Sequence, residues 1–304
     1  MRTLIVGAGG IGGYFGGRMV QAGQEVTFLV RPGRAAQLAQ HGLVLCSPRG
    51  DWSGPVATVQ AGGIAGPYDA VILSCKAYDL VDAMADFAPA VGPATAILPL
   101  LNGMAHMDAL RLRFGEATVL GGQCQIAATL EPDGTVRQLG ELQAISLGEV
   151  DGSMSSRVEV LAAALAGCGG RASTTILQDM WEKWVFLASL AGATCLLRGA
   201  VADIVTAGGA WVSQGLFDEA ATVATAAGHP PRSSFTERMR GRLGEPGLVF
   251  TASMLRDIER GGPIESDHVV ADLIARGIAD RMPLFRMALV HLRTHEARRA
   301  RAGD

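Results

Sequence analysis

The sequence predicts an α/β protein. An N-terminal domain is built on a mostly parallel sheet with antiparallel edge strands, and an all-helical C-terminal domain follows. Three observations predict this. The first half alternates short, wholly apolar runs with helix-compatible segments, as strands covered on both faces require. A turn signature, Glu131-Pro132-Asp133-Gly134, then interrupts the alternation. After Ser173-Thr174-Thr175, apolar residues recur only at helical spacing. A chain of 304 residues is expected to form two domains, here 1–174 and 175–304.

Taken in order, Thr3 to Val6 is a short buried strand. Ile11 to Gln21 follows as a helix, with Gly23 as its stop. Glu25 to Val30 is the second strand, closed by Arg31-Pro32-Gly33. Ala70 to Cys75 is a continuous apolar strand, and Asp79 is placed to cap the helix that runs to about Phe87. Ala96 to Leu101 is another buried strand. Ile126 to Leu130 and Thr135 to Leu139 flank the turn as a hairpin, with a further strand near Ala144 to Gly148. Arg157 to Cys168 reads as a helix ended by Gly169-Gly170. Helices then fall near Ile176–Leu197, Gly215–Ala227, Ser234–Arg242, Ser253–Glu259, Ser266–Arg276 and Leu284–Arg298.

Composition narrows the function. With 26 Lys+Arg against 29 Asp+Glu there is no basic excess to hold a nucleic acid. The 40 glycines have no three-residue period, which excludes collagen. Hydrophobic residues at 49% exclude a disordered chain. A mean hydropathy of +0.26 is compatible with a homodimer interface. Five widely spaced cysteines without C-x-x-C fit a reducing compartment. Glycines break the N-terminal apolar run after four residues, unlike a signal peptide. The uncharged run Trp184 to Leu197 is too short to span a bilayer. A cytoplasmic protein with no membrane partner is expected.

The chemistry starts at Gly7-Ala8-Gly9-Gly10-Ile11-Gly12, a G-x-G-x-x-G set between a strand and a helix. Gly7 allows the tight turn, Gly9 lets a pyrophosphate approach the backbone, and Gly12 lets helix and strand pack closely. The helix N-terminus offers free N–H groups to an anion. That context makes the first domain a Rossmann-type dinucleotide fold. An acid about 20 residues on would take the ribose hydroxyls of NAD. The second strand instead ends in Arg31, nineteen residues past Gly12, with Arg34 nearby. An arginine there suits a 2′-phosphate, so the expected cofactor is NADP(H).

Lys76 and Asn102 each follow a buried strand, at the strand ends where open α/β sheets bind ligands. An Asn-Gly turn and a solvated lysine explain the same residues as well. Lys183 heads the uncharged run and shares a helix face with Leu187 and Ala191. A lysine on an apolar stripe either snorkels or acts as a general acid toward a carbonyl oxygen. Ser253 and Asp257 share a face, and Glu265 opens the helix after Gly261-Gly262-Pro263. By spacing alone these read as surface and capping residues. His291 and His295 lack a third ligand, so no metal site is expected.

Together these residues resemble the ketopantoate reductase (2-dehydropantoate 2-reductase) family over nearly the whole chain. The anchors are the glycine loop through Gly16, Arg31-Pro32-Gly33, Lys76, Leu101-Asn102-Gly103, Trp181-Glu182-Lys183, and Ser253-Met254-Leu255-x-Asp257 with Glu265. The resemblance implies NADPH-dependent reduction of ketopantoate to pantoate, a step of pantothenate and coenzyme A biosynthesis. It implies that Lys183 is the proton donor, that Asn102 holds nicotinamide and substrate, and that Ser253 meets the substrate carboxylate. Glu265 would lie near the ribose and the lysine. Arg31 and Lys76 would belong to the cofactor site, which Ala127 lines.

One departure bears on the small-molecule substrate. Well-studied members of the family carry Asn one and two turns after the lysine, where this chain has Leu187 and Ala191. A more apolar 2-oxo acid suits that pair better, because a site without polar partners stops favouring a polar group. A non-catalytic NADPH-binding sensor is the rival of another class. A 3-hydroxy acid dehydrogenase would need an Asn four residues after Lys183, which is absent.

Overall fold

The computed structural model of the protein describes residues 1–303. It has two compact units, Met1–Leu101 with His106–Ile176, and Asn102–Ala105 with the chain from Leu177 onward. The strands of the first unit are β1 (Arg2–Val6), β2 (Glu25–Leu29), β3 (Leu43–Cys46), β4 (Trp52–Gly54), β5 (Ala57–Val59), β6 (Ala70–Leu73), β7 (Ala96–Pro99), β8 (Gly121–Leu130), β9 (Val136–Gly148) and β10 (Gly170–Ala172). Its helices are α1 (Gly10–Gln21), α2 (Pro32–His41), α3 (Leu80–Phe87), α4 (Ala105–Phe114) and α5 (Ser156–Ala164).

One sheet is wholly parallel, in the order β5-β2-β1-β6-β7. The chain steps outward from β1 to β5, then returns to β6 on the other side. That reversal puts the topological switch at the carboxyl ends of β1 and β6, where such sheets bind ligands. At the β7 edge, Ile97 makes an isolated parallel bridge to Val119. The chain then continues as β8 into a second sheet, ordered β10-β9-β3-β4 with β8 on β9. The hairpin therefore leaves the edge of the parallel sheet and joins other short strands.

Helix α1 lies between the two sheets, and its glycines explain how. A Cβ on Gly12 would sit 2.1 Å from Ser74 Oγ and 2.2 Å from the Gly7 carbonyl oxygen. A Cβ on Gly16 would meet Phe28 at 2.5 Å. Gly13 and Gly17 face the second sheet, where a Cβ would meet Val136 at 2.7 Å and Leu43 at 2.9 Å. Two i, i+4 glycine pairs thus let both sheets close on one helix. Tyr14, Phe15 and Met19 fill the same core completely buried.

The sequence reading passes over β3, β4, β5 and β10. Each has three or four residues, and β4 and β5 are half exposed, so neither makes an apolar run. The segment Arg157 to Cys168 is not one helix. It is α5 and a 3-10 turn, Ala166–Cys168, which Gly169 ends at φ +72°.

The second unit is helical: α6 (Ile176–Leu197), α7 (Val201–Thr206), α8 (Ala210–Ala226), α9 (Ser233–Leu243), α10 (Ser253–Glu259), α11 (Asp272–Arg276) and α12 (Pro283–Gly303). Helix α6 is deeply embedded in it, with Trp184, Val185, Ala188 and Ala193 buried. The open N–H groups of Leu284 and Phe285 at the start of α12 donate to the Glu219 carboxylate on α8, each at 3.0 Å. The expected helix Ser266–Arg276 begins instead as a π-helical turn, Asp267–Ala271, before α11. No helix among the described residues is long and apolar enough to cross a membrane.

Candidate active site

The glycine loop takes the form its spacing predicts. Gly7 follows β1 at φ +92°, a conformation that side chains rarely adopt. Gly9 stands at the N-cap of α1 with φ −85°, and nothing lies within 4 Å of where its Cβ would be. Gly10, by contrast, would strike the Ala128 carbonyl oxygen at 2.7 Å. No side chain caps α1, so its first N–H groups face outward for an anion. The open side at Gly9 and the blocked sides at Gly10 and Gly12 form a cradle that fits a pyrophosphate.

Two neighbours complete this loop. The Ser74 hydroxyl, at the end of β6, donates to the Val6 carbonyl at 2.8 Å and pins the end of β1. Ala127 sits at a break in register between β8 and β9, where Ile126 pairs Gln143 but Ala128 pairs Gln138. Such irregularities re-aim side chains at the rim of a sheet. The contact of Gly10 with Ala128 brings Ala127 beside the start of α1.

The basic residues are arranged less simply. Lys76 is half-buried just past β6, ahead of the 3-10 turn Ala77–Asp79. Arg34 turns inward: its Nε donates to the Ala8 carbonyl at 3.1 Å and Nη1 to Gly134 at 3.0 Å. Burial pulls its pKa down. It braces the glycine loop against the hairpin turn. Arg31, two residues past β2 at the N-cap of α2, donates to Asp79 Oδ1 at 2.6 Å. Asp79 holds the N-cap position of α3 but makes no cap bond there, contrary to expectation. The strand ends β2 and β6 lie on either side of β1, so this ion pair bridges them.

In the helical unit, Gly103 and Trp184 both meet one segment, 265–269. Gly103, next to Asn102, has φ +80°, and a Cβ there would lie 2.5 Å from the His268 carbonyl oxygen. Trp184, next to Lys183, donates its indole N–H to the Val269 carbonyl at 3.0 Å. The Val269 amide donates to the Glu265 carbonyl at 3.0 Å. The turn that begins at Glu265 thus meets the chain neighbours of Asn102 and Lys183. Glu265 is buried and Lys183 half-buried. Desolvation lowers the pKa of His268, in the middle of this turn. Buried Glu182, beside the lysine, and Asp179 both accept bonds from Arg232 at 2.6 Å.

Ser253 is placed further along α6. The backbone amide of its neighbour Ala252 donates to Thr194 Oγ1 at 3.4 Å. Thr194 stands eleven residues after Lys183, three helical turns on nearly the same face. Leu187 (half-buried) and Ala191 (buried) lie between them. The face therefore reads amine, two apolar residues, then the Ser253 end. Sequence reasoning missed Ser74, Thr194, the partner of Arg31 and the π turn. Ser74 has a signal, its place at a strand end like Lys76; the π turn has none.

Known proteins resemble this chain over both of its units. The family model for ketopantoate reductase PanE/ApbA matches residues 3–152, and the model for its C-terminal part matches residues 175–296. The chain is 34% identical over 302 residues to the uncharacterized oxidoreductase YkpB of Bacillus subtilis, covering 98% of this chain and 99% of that one. The crystal structure of 2-dehydropantoate 2-reductase from Geobacter metallireducens superimposes with a TM-score of 0.87 at 29% identity, over 97% of this chain and 99% of that one. The ternary structure of D-mandelate dehydrogenase with NADH and anilino(oxo)acetate shares the fold, with a TM-score of 0.88 at 21% identity over 99% and 100% of the two chains.

Proposed function

We propose a function from one premise: the chain belongs to the ketopantoate reductase family of oxidoreductases. It reduces a 2-oxo acid to a 2-hydroxy acid with NADPH, and ketopantoate, giving pantoate for coenzyme A biosynthesis, is the first substrate to test. The observation that carries this reading is that Gly103, next to Asn102, and Trp184, next to Lys183, both meet the turn 265–269 that begins with Glu265.

The cofactor, when bound, supplies hydride to the keto carbon. The chain does the rest. The first N–H groups of α1 and the loop Gly7–Gly12 hold the pyrophosphate. Lys76 and Arg31 meet cofactor phosphates, and Ala127 lines the same site. Reduction places negative charge on the carbonyl oxygen, and the Lys183 ammonium neutralises it and gives up its proton there. The Asn102 amide orients nicotinamide and substrate. The Ser253 hydroxyl donates to the substrate carboxylate, and Glu265 positions the lysine and the ribose.

Leu187 and Ala191 favour a second reading, the same reaction on a more apolar 2-oxo acid. They leave no amide along the face between Lys183 and Ser253. A protein of the same fold binds NADH together with anilino(oxo)acetate, a 2-oxo acid derivative carrying an aromatic ring.

The test is NADPH oxidation with ketopantoate and with bulkier 2-oxo acids, with NADH in parallel. Lys183→Ala is expected to lower kcat by about 10²–10⁴ while nucleotide binding persists. Turnover unchanged in that variant rejects the lysine as proton donor. Nucleotide binding without turnover across the whole panel supports the sensor instead.

A further inference from the structure

The end of β2 carries no acid of its own, and the fold supplies one. Asp79 lies 48 residues after Arg31 in the chain, yet their side chains meet at 2.6 Å. The pair bridges the strand ends on either side of β1, which carries the glycine loop. Arg34 is committed to the carbonyls of Ala8 and Gly134 and to Gln37. Of the two arginines after β2, Arg31 is thus the one whose charge faces outward, with its side chain 75% exposed. It does so under the carboxylate of Asp79 and the nearby charges of Asp82 and Asp86, all of which favour its cationic form.

We infer that Asp79 sets the preference between NADPH and NADH: a 2′-phosphate must displace its carboxylate from Arg31, whereas a 2′-hydroxyl can donate to it. A phosphate monoester carries a charge of about −1.5 to −2 and accepts hydrogen bonds only. Near Asp79 it meets repulsion from one carboxylate and competition for one guanidinium. A ribose diol brings neither, and an acid near this strand end is the feature that selects NAD in dinucleotide folds. The Arg31 side of the pair is exposed, so solvent screens the attraction and the guanidinium can exchange partners. NADPH is therefore bound, but with little of the discrimination that an unpaired arginine would give. This inference rests on the dinucleotide reading above and not on the choice of 2-oxo acid.

The test is equilibrium binding of NADPH and NADH to the whole chain, by protein fluorescence or calorimetry, with no substrate present. In the unsubstituted chain the two Kd values are expected to lie within about tenfold of each other, 1.4 kcal/mol. Asp79→Asn should tighten NADPH by about tenfold and leave NADH unchanged or weaker. In an Arg31→Ala background the same substitution should no longer separate the two nucleotides. Equal shifts for both nucleotides, or none, with an unchanged melting temperature overturn the inference. No binding of either nucleotide to the unsubstituted chain rejects the dinucleotide reading and this inference with it. A tenfold shift without turnover on any 2-oxo acid sinks the substrate reading alone.

Discussion

The glycine loop makes a prediction that separates two residues of one motif. Gly12→Ala adds a methyl group 2.1 Å from Ser74 Oγ and 2.2 Å from the Gly7 carbonyl oxygen. A carbon and an oxygen in contact need about 3.3 Å, so α1 must retreat from β1 by about 1 Å. Ser74 can rotate, but the Gly7 carbonyl is backbone and follows β1. Overpacking of this kind costs about 1–3 kcal/mol, and the backbone contact puts it at the upper end. The retreat also displaces the N–H groups of the loop, and a misplacement of 1 Å can cost about a hundredfold in the positioned step. Gly9→Ala is the contrast. Its Cβ points into open space and its φ of −85° suits alanine, so stability should change by less than about 1 kcal/mol. Nucleotide binding should nevertheless weaken, because the methyl group occupies the side from which the pyrophosphate approaches. Urea unfolding and NADPH binding of both variants, with Gly12→Ala/Ser74→Ala as a control, make the assay. The double variant should stay destabilised, since the carbonyl contact remains. Full recovery on removing the serine hydroxyl, or tight NADPH binding by Gly9→Ala, would refute the geometry.

Three further outcomes follow from other parts of the structure. Leu187→Asn with Ala191→Asn should raise kcat/KM for ketopantoate relative to an apolar 2-oxo acid by about 10–100-fold; an unchanged ratio removes this face from the substrate site. Arg232→Met takes the guanidinium away from the buried carboxylates of Asp179 and Glu182, whose side chains are only 8% and 6% exposed. Breaking a buried pair costs about 3–5 kcal/mol, discounted here to about 2–3 because Arg232 is half exposed. The melting temperature should fall by about 5–10 °C, and an unchanged value contradicts the network. Glu149 accepts bonds from Arg157 at 2.7 and 2.6 Å and from Ser155, and Arg157 holds its pKa below the ordinary 4.5. A lowered carboxyl pKa stabilises the fold above the unfolded value, and that contribution is lost as pH falls through the folded value. Glu149→Gln should therefore cost about 2 kcal/mol at neutral pH. The gap to the unsubstituted chain should close below about pH 4.5. Urea midpoints at several pH values check it, and a gap that persists in acid contradicts the assignment.

Much of the first unit was legible because its signals are local. A strand, a turn that needs φ > 0 and a helix start lie within Arg2 to Gly12, and their order alone indicates the pyrophosphate cradle. The hairpin turn and α6 were legible for the same reason, as turn chemistry and helical spacing act over a few residues. Lys183 was visible as a charge heading an apolar run, but its role came from family resemblance, since a snorkelling lysine reads the same way. The short strands β3, β4, β5 and β10 were not legible, because three or four residues are too few to establish a period.

By itself the sequence determined the glycine loop, the helical character of the second unit, and the residue types available at each strand end. Only the tertiary structure decided what those residues meet. It set Asp79 against Arg31, turned Arg34 back onto the loop, and brought Gly103 and Trp184 to one turn. The physical reason is range. Backbone preferences and periodicity act between neighbours in the chain, whereas an ion pair between residues 31 and 79 exists only once a parallel sheet puts β2 and β6 on either side of β1.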